Sequence, residues 1–202
     1  EELLDEASKK LIKSNLYLII SGNHFSNFFG QSHKLIKNFK NIKKINIPLP
    51  DLGKNADAPV KTFNNASSKF VKILNKIKPD LVITFGDRFE MFAFSFSCYT
   101  QNIKQAHLAG GEITRGSLDD GFRNSITNFS DYHFPVTEIY KNNLIKMGVK
   151  AKNVFNYGNL GFDKIKKINF LSKNELQKKH GIKFKEKNFL VVFHPETTEL
   201  AH

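Results

Sequence analysis

The sequence predicts an α/β chain folded on a parallel sheet. Two observations lead there. Short apolar runs alternate with longer stretches of helical period along the chain, which is the pattern of strands joined by helices in a parallel sheet. Two of the runs, Leu81 to Phe85 and Gln105 to Leu108, end in glycine-containing turns followed at once by charge, Gly86-Asp87-Arg88 and Gly110-Gly111-Glu112. In open sheets of this kind, ligands sit outside the carboxyl ends of the strands.

The elements follow in order. Glu1 to Lys13 has apolar residues at Leu3, Leu4, Ala7, Leu11 and Ile12, the helical period. Leu16 to Ile20 is a continuous strand run closed by Ser21-Gly22. Gln31 to Phe39 reads as a helix, Lys44 to Ile47 as a short strand, and Leu52 to Pro59 as a polar loop. Thr62 to Ile77 is helical, with Phe63, Phe70, Ile73, Leu74 and Ile77 on one side, and Pro79 stops it before the strand Leu81 to Phe85. Phe89 to Thr100 is apolar nearly all round and should be a buried helix.

After the strand Gln105 to Leu108, Asp119 to Phe129 is a helix with two acidic residues at the favourable end of its dipole. Tyr132 to Val136 is a strand, and Thr137 caps a helix ending at Gly148. Val154 to Tyr157 is a strand followed by the turn Gly158 to Gly161. Ser172-Lys-Asn-Glu175 is a capping box opening a helix that Gly181 closes. Asn188 to Phe193 reads as a last strand with His194-Pro195 at its exit. The whole is a Rossmann-like sheet. Domain limits of 1–169, a Lys-rich linker 170–187 and the beginning of a second domain at 188–202 follow from the composition.

With 202 residues, 40% hydrophobic and 25% charged, the chain can bury a core like any water-soluble globular protein. The lone Cys98 lies in an apolar run and has no intrachain partner, which fits a reducing, cytoplasmic setting. No secretory signal is read at the start, and the most apolar run, Met91 to Tyr99, is too short for a membrane span. The net charge is +12, yet the lysines at 34, 37, 40, 43 and 44 read as solvated faces. Neither zinc-finger spacing nor an aromatic-basic RNA motif accompanies them, so no nucleic-acid partner is expected. The positive field instead favours a phosphorylated ligand.

The candidate chemistry lies in the charged groups at the strand exits. Asp87 and Asp119, with Glu112, are carboxylates suited to moving protons on a bound substrate. The plainer alternative is that Asp87 and Asp119 only cap the helices that follow them. Arg123 lies one turn after Asp119, so that pair can share a helix face. His24 follows a strand and can face a ligand or simply sit in a loop, whereas His107 reads as a core histidine. His33, His133 and His180 show no ligand spacing, no Cys/His cluster suggests zinc, and the glycines form neither G-x-G-x-x-G nor a P-loop.

Four strings carry a resemblance: Pro79-Asp-Leu-Val-Ile-Thr-Phe-Gly-Asp-Arg-Phe-Glu90, His107-Leu-Ala-Gly-Gly-Glu112, Asp119-Asp-Gly-Phe-Arg-Asn-Ser-Ile-Thr127 and Phe193-His-Pro-Glu-Thr-Thr198. In this order and spacing, from about Leu16 to Thr198, the chain resembles the UDP-N-acetylglucosamine 2-epimerase family. The likeness is to its hydrolysing branch, which feeds sialic-acid-type sugar synthesis, legionaminic acid included. The resemblance implies the N-terminal half of a GT-B-like pair of Rossmann domains with a UDP-sugar between them. It also implies C2 proton removal with loss of UDP, a 2-acetamidoglucal, and water addition to give N-acetylmannosamine. No metal or redox cofactor is implied, and a homodimer is.

Residue by residue, Asp87 and Asp119 match the family's catalytic carboxylates and His194 its catalytic histidine. Arg88, Arg123, His24, Gly110 and Gly111 are the expected substrate contacts. The chain departs from the family at Ala109, where glutamate or histidine is frequent, and Glu112 is the nearest acid that could compensate. Measured against the family, the first strand and most of the second domain are missing, so the stretch reads as an enzyme fragment, inactive alone. Loss of a central strand would leave unpaired backbone groups, each costing on the order of 1–3 kcal/mol. The apolar run Asn188 to Phe193 is expected to fill that position. Two other readings share the pattern: a GT-B glycosyltransferase, and a degenerate, non-catalytic sugar-binding domain.

Overall fold

A computed structural model describes residues 1–27, 30–50 and 57–193. The helix α1 (Glu2–Lys10) leads to the strand β1 (Leu16–Ser21), which pairs in parallel with β2 (Ile42–Ile47). The long helix α2 (Ala58–Ile77) then crosses to a second parallel sheet, in the order β3 (Leu81–Phe85), β4 (Lys104–Leu108), β5 (Tyr132–Phe134). The helix α3 (Phe89–Thr100) links β3 to β4, and α4 (Asp119–Phe129) links β4 to β5. The helices α5 (Glu138–Lys146), α6 (Leu160–Ile165) and α7 (Lys173–His180) complete the described chain. All strand pairs are parallel, as the alternation of strands and helices requires.

Both sheets rest on one core. Ala66, Phe70 and Leu74 repeat at helical spacing down α2 and meet Ile47 of β2, Val82 of β3 and Ala93, Phe94 and Cys98 of α3. Phe70 and Phe94 pack edge to face with centroids 5.0 Å apart. Burial pushes the Cys98 thiol up to about 12, so it is a filler of the core and no nucleophile. No helix among the described residues is long and apolar enough to cross a membrane.

Local signals placed several boundaries. The Thr137 side chain accepts from the Tyr140 amide to start α5. The Ser172/Glu175 capping box opens α7, and Gly181 closes it at φ +67°. Other expectations are corrected. Between 31 and 39 only a single 3-10 turn, Ser32–Leu35, forms. Leu35 stays 80% exposed while Phe39, beyond the turn, is buried, so the apolar residues share no single covered face to hold a short helix together. The loop predicted at Leu52 to Pro59 lies partly outside the described residues, and Ala58 and Pro59 already belong to α2, with proline in its first turn. The strand expected at Val154 to Tyr157 shrinks to one bridge between His133 and Val154. Beyond it, Asn156 turns on its own side chain to cap the Gly158 amide at 3.2 Å.

The run Asn188 to Phe193 forms no strand. It is unpaired, and Phe189 to Val192 are between 68% and 93% exposed. The expectation that it fills the centre of the sheet is therefore overturned. An apolar composition makes a strand possible, but only a neighbouring edge in register makes one.

His107 in β4 is fully buried, its Nδ1 3.1 Å from Thr127 Oγ1, which makes it the core histidine its position suggested. Burial, with His133 nearby, pulls its pKa from 6.5 down to about 4. Between those values the unfolded chain binds the proton and the folded chain does not, so stability rises with pH across that window. The contribution is fully present above about pH 6.5 and is lost as pH falls towards 4, a change of about 3 kcal/mol. Urea midpoints measured from pH 7 to 4.5 should fall more steeply for the native chain than for His107→Gln. Equal slopes would contradict this.

Candidate active site

The site is assembled at the carboxyl edge of the three-stranded sheet, where β3 and β4 release their chains. Gly86 takes φ +96°, a backbone setting that L side chains rarely adopt, and so turns the chain sharply after β3. This brings Asp87 and Arg88 out at the strand exit. After β4, Ala109 stands at φ +63°, and its amide donates to the Phe134 carbonyl at 3.0 Å. Gly110 and Gly111 follow it, both buried. A Cβ on Gly111 would lie 2.4 Å from the Tyr140 carbonyl oxygen, and one on Gly110 3.0 Å from His107 Nδ1. Both glycines let the turn pack tightly against α5 and the core.

Arg123 of α4 organises the site. It is 3% exposed, and four acceptors surround its guanidinium. Nη2 donates to Asp87 Oδ2, and to Thr114 Oγ1 at 3.2 Å. Nη1 donates to Asp120 Oδ1, and to the Glu112 carbonyl at 3.1 Å. Asp120 Oδ1 also accepts from the Thr114 amide at 2.7 Å. One arginine thus ties the exit of β3, the loop after β4 and the first turn of α4 together. Burial works against its charge, but the hydrogen bonds and attraction of Asp87 and then Asp120 outweigh it, and its pKa rises above the ordinary value. The two carboxylates are each a little over a quarter exposed, so both reach solvent while the guanidinium between them does not.

The geometry departs from the sequence reading at α4. The acid sharing Arg123 is Asp120, at i to i+3, and not Asp119 at i to i+4. Successive helical residues point about 100° apart, so only one of the two adjacent acids can face the guanidinium. Asp119 Oδ2 instead accepts from Ser117 Oγ at 3.0 Å, and Ser117 Oγ accepts from the Asp119 amide at 3.1 Å. Asp119 is therefore tied to a local serine at the start of α4. The sequence showed Asp120 beside Asp119 but did not pair it with Arg123, although both helical spacings were equally visible.

The other candidates are scattered around this network. The Glu112 side chain is half-buried, and its carboxylate has no partner among the described residues. Arg88 is exposed and donates from Nε to Glu90 Oε1 at 3.0 Å. His24 lies in the single 3-10 turn Gly22–Phe25 at the exit of β1, exposed, with Nδ1 2.9 Å from Ser32 Oγ. His194 lies outside the described residues. Glu90, whose burial a helix position in an apolar run could have suggested, was missed.

Sheet and site together define a class: a Rossmann-type α/β unit with carboxylates and guanidinium groups at the strand exits, the edge where ligands of open sheets sit. Over residues 7–202 the chain matches the family described as UDP-N-acetylglucosamine 2-epimerase, and it belongs to that family. It is 40% identical over 189 residues to GDP/UDP-N,N'-diacetylbacillosamine 2-epimerase (hydrolyzing) of Campylobacter jejuni, covering 93% of this chain and 49% of the relative. It is 34% identical over 187 residues to polysialic acid biosynthesis protein P7 of Escherichia coli, covering 90% of this chain and 46% of that protein. The crystal structure of UDP-GlcNAc 2-epimerase from Neisseria meningitidis bound to UDP-GlcNAc superposes with a TM-score of 0.61 at 25% identity, covering 89% of this chain and 51% of that one. The chain spans about half the length of the curated relatives it matches.

Proposed function

We propose that this chain supplies the first Rossmann-type half, and the acid/base groups, of a hydrolysing UDP-N-acetylhexosamine 2-epimerase. The reaction is UDP-sugar plus water to free 2-epimeric sugar plus UDP. A base removes the C2 proton, the C1–O bond breaks with its electron pair leaving on UDP, and a 2-acetamidoglucal results. Water then adds its hydroxyl to C1, and a proton returns to C2 on the opposite face. In this reading Asp87 and Asp119 exchange protons with the sugar, Arg123 orients Asp87, and Arg88 meets the departing diphosphate. Glu112, His24 and, beyond the described residues, His194 complete the expected set.

The observation that carries the reading is the contact between Asp87 at the exit of β3 and Arg123 of α4. It joins two of the family-like strings at one strand edge, where ligands of open sheets sit. Support for the substrate class comes from the names of the relatives, which include a diacetylbacillosamine epimerase and a protein of polysialic acid biosynthesis. A cytoplasmic homodimer working in sialic-acid-type sugar synthesis goes with this proposal, and the buried lone thiol suits a reducing setting. The proposed domain limit lies in 170–187, the stretch holding the exposed helix α7.

The test joins this chain to the remaining half of the Campylobacter jejuni relative and incubates the chimera with UDP-GlcNAc and, separately, with UDP-N,N'-diacetylbacillosamine. Release of UDP with a free 2-epimeric sugar is expected from one of them. Absence of release from both sinks the epimerase reading. The substrate giving the higher kcat/KM identifies the sugar.

A further inference from the structure

Glu90 is an acid where α3 has every reason to be apolar. It lies in the first turn of a helix whose buried residues include Ala93, Phe94 and Cys98, and it is 8% exposed. Its Oε1 accepts from Arg88 Nε at 3.0 Å. Its Oε2 is buried without a hydrogen-bond partner among the described residues. A buried carboxylate with an unmet oxygen is costly, and such groups call for an explanation.

The surroundings supply one. Glu90 reaches from the exit of β3 to the exit of β1, where it lies on Gly22. A Cβ at Gly22 would stand 2.5 Å from Oε1 and 2.8 Å from Cγ, so only glycine leaves room for the acid. Gly22 also takes φ +65°. Held by Nε alone, Arg88 keeps both Nη groups without partners among the described residues, and its side chain is 48% exposed. The Phe89 ring lies 5.2 Å from the guanidinium carbon and limits where the plane can turn. Asp87, next door, is already taken by Arg123. The result is a fork of N–H donors without partners among the described residues, tethered at Nε and beside the Phe89 ring between two strand exits, the arrangement that binds a phosphate oxygen pair bidentately.

We infer that Glu90 is a positioning residue: it acts through Arg88, fixing that guanidinium as a clamp for the diphosphate of the nucleotide sugar. The inference rests on the proposed nucleotide-sugar reading. It assigns Glu90 no contact with the ligand and no proton to move. An acid working this way changes ligand binding and leaves the chemical step alone.

The test is a double-mutant cycle in the chimera described above, reading Kd for UDP by calorimetry and kcat and KM for the better UDP-sugar. Glu90→Gln is expected to raise KM and the Kd for UDP about tenfold, with kcat within about twofold and the thermal midpoint near that of the parent. Arg88→Ala should weaken UDP at least as much. In the Arg88→Ala background, Glu90→Gln should add less than about twofold, because the residue it acts through is gone. Glu90→Asp, one methylene shorter, provides the same comparison where Glu90→Gln folds poorly. Equal losses with and without Arg88, or a fall in kcat at unchanged KM, overturn the inference. If Arg88→Ala binds UDP as well as the parent while the chimera still turns over, the inference falls and the epimerase reading stands. A parent chimera that neither binds UDP nor releases it removes both.

Discussion

Replacing Arg123 with methionine is expected to destabilise the chain by about 2–3 kcal/mol, more than any other single change at the site. Removing one partner of a buried ion pair costs roughly 3–5 kcal/mol when the remaining charge is fully buried. Here Asp87 and Asp120 are 28% and 29% exposed, so solvent meets part of the need and the cost falls to the bottom of that range or below it. The substitution also strips the Glu112 carbonyl and Thr114 Oγ1 of their donor, and it leaves two carboxylates facing each other without a cation. Methionine keeps most of the stem volume, which separates the lost charge from a lost filling. Urea unfolding measures the difference. A loss below about 0.5 kcal/mol, the level of an ordinary surface change, would mean that the network does not hold these loops. Asp120→Asn should cost less, since an amide oxygen can still accept from Nη1 and from the Thr114 amide.

Asp87→Asn is expected to have the largest effect on turnover, lowering kcat of the chimera by about 10²–10⁴. The stability cost should stay small, because the amide oxygen can still accept from Arg123 Nη2. Its Oδ1 has no partner among the described residues, so one oxygen of Asp87 is available to a substrate while the other is held. Asp119→Asn decides between the two neighbouring acids. Among the described residues Asp119 is bonded only to Ser117, so its substitution should lower kcat with little change in stability. The network acid Asp120 should show the converse. A chimera that keeps its rate after Asp87→Asn has its base elsewhere, and Glu112 is then the next carboxylate to replace.

Part of this was legible in the residues themselves. The bounds of α3 and α4, from Phe89 to Thr100 and from Asp119 to Phe129, follow from apolar runs between turn signals, and the structure keeps them. The caps at Thr137 and Ser172 and the stop at Gly181 are contacts within four residues, so a short string specifies them. The exits of β3 and β4, and with them the position of Asp87 and Glu112, come from the same kind of local information. The segments that failed, 31–39 and 188–193, have the composition of a helix and of a strand, but the first buries Phe39 while leaving Leu35 exposed, so no single helix face is covered, and the second lies exposed without a strand beside it.

What the sequence alone determined is therefore the order of elements and the kinds of charged group gathered at the strand exits. Tertiary structure decided which of those groups meet. Asp119 and Asp120 are indistinguishable by spacing, and the roughly 100° rotation between them, set by how α4 lies on the sheet, turned Asp120 towards Arg123 and Asp119 towards Ser117. The burial of Glu90 depends on Gly22, more than sixty positions earlier in the chain, leaving the space that a side chain would have filled. Periodicity describes what a segment can bury; only the packed neighbours determine what each side chain touches.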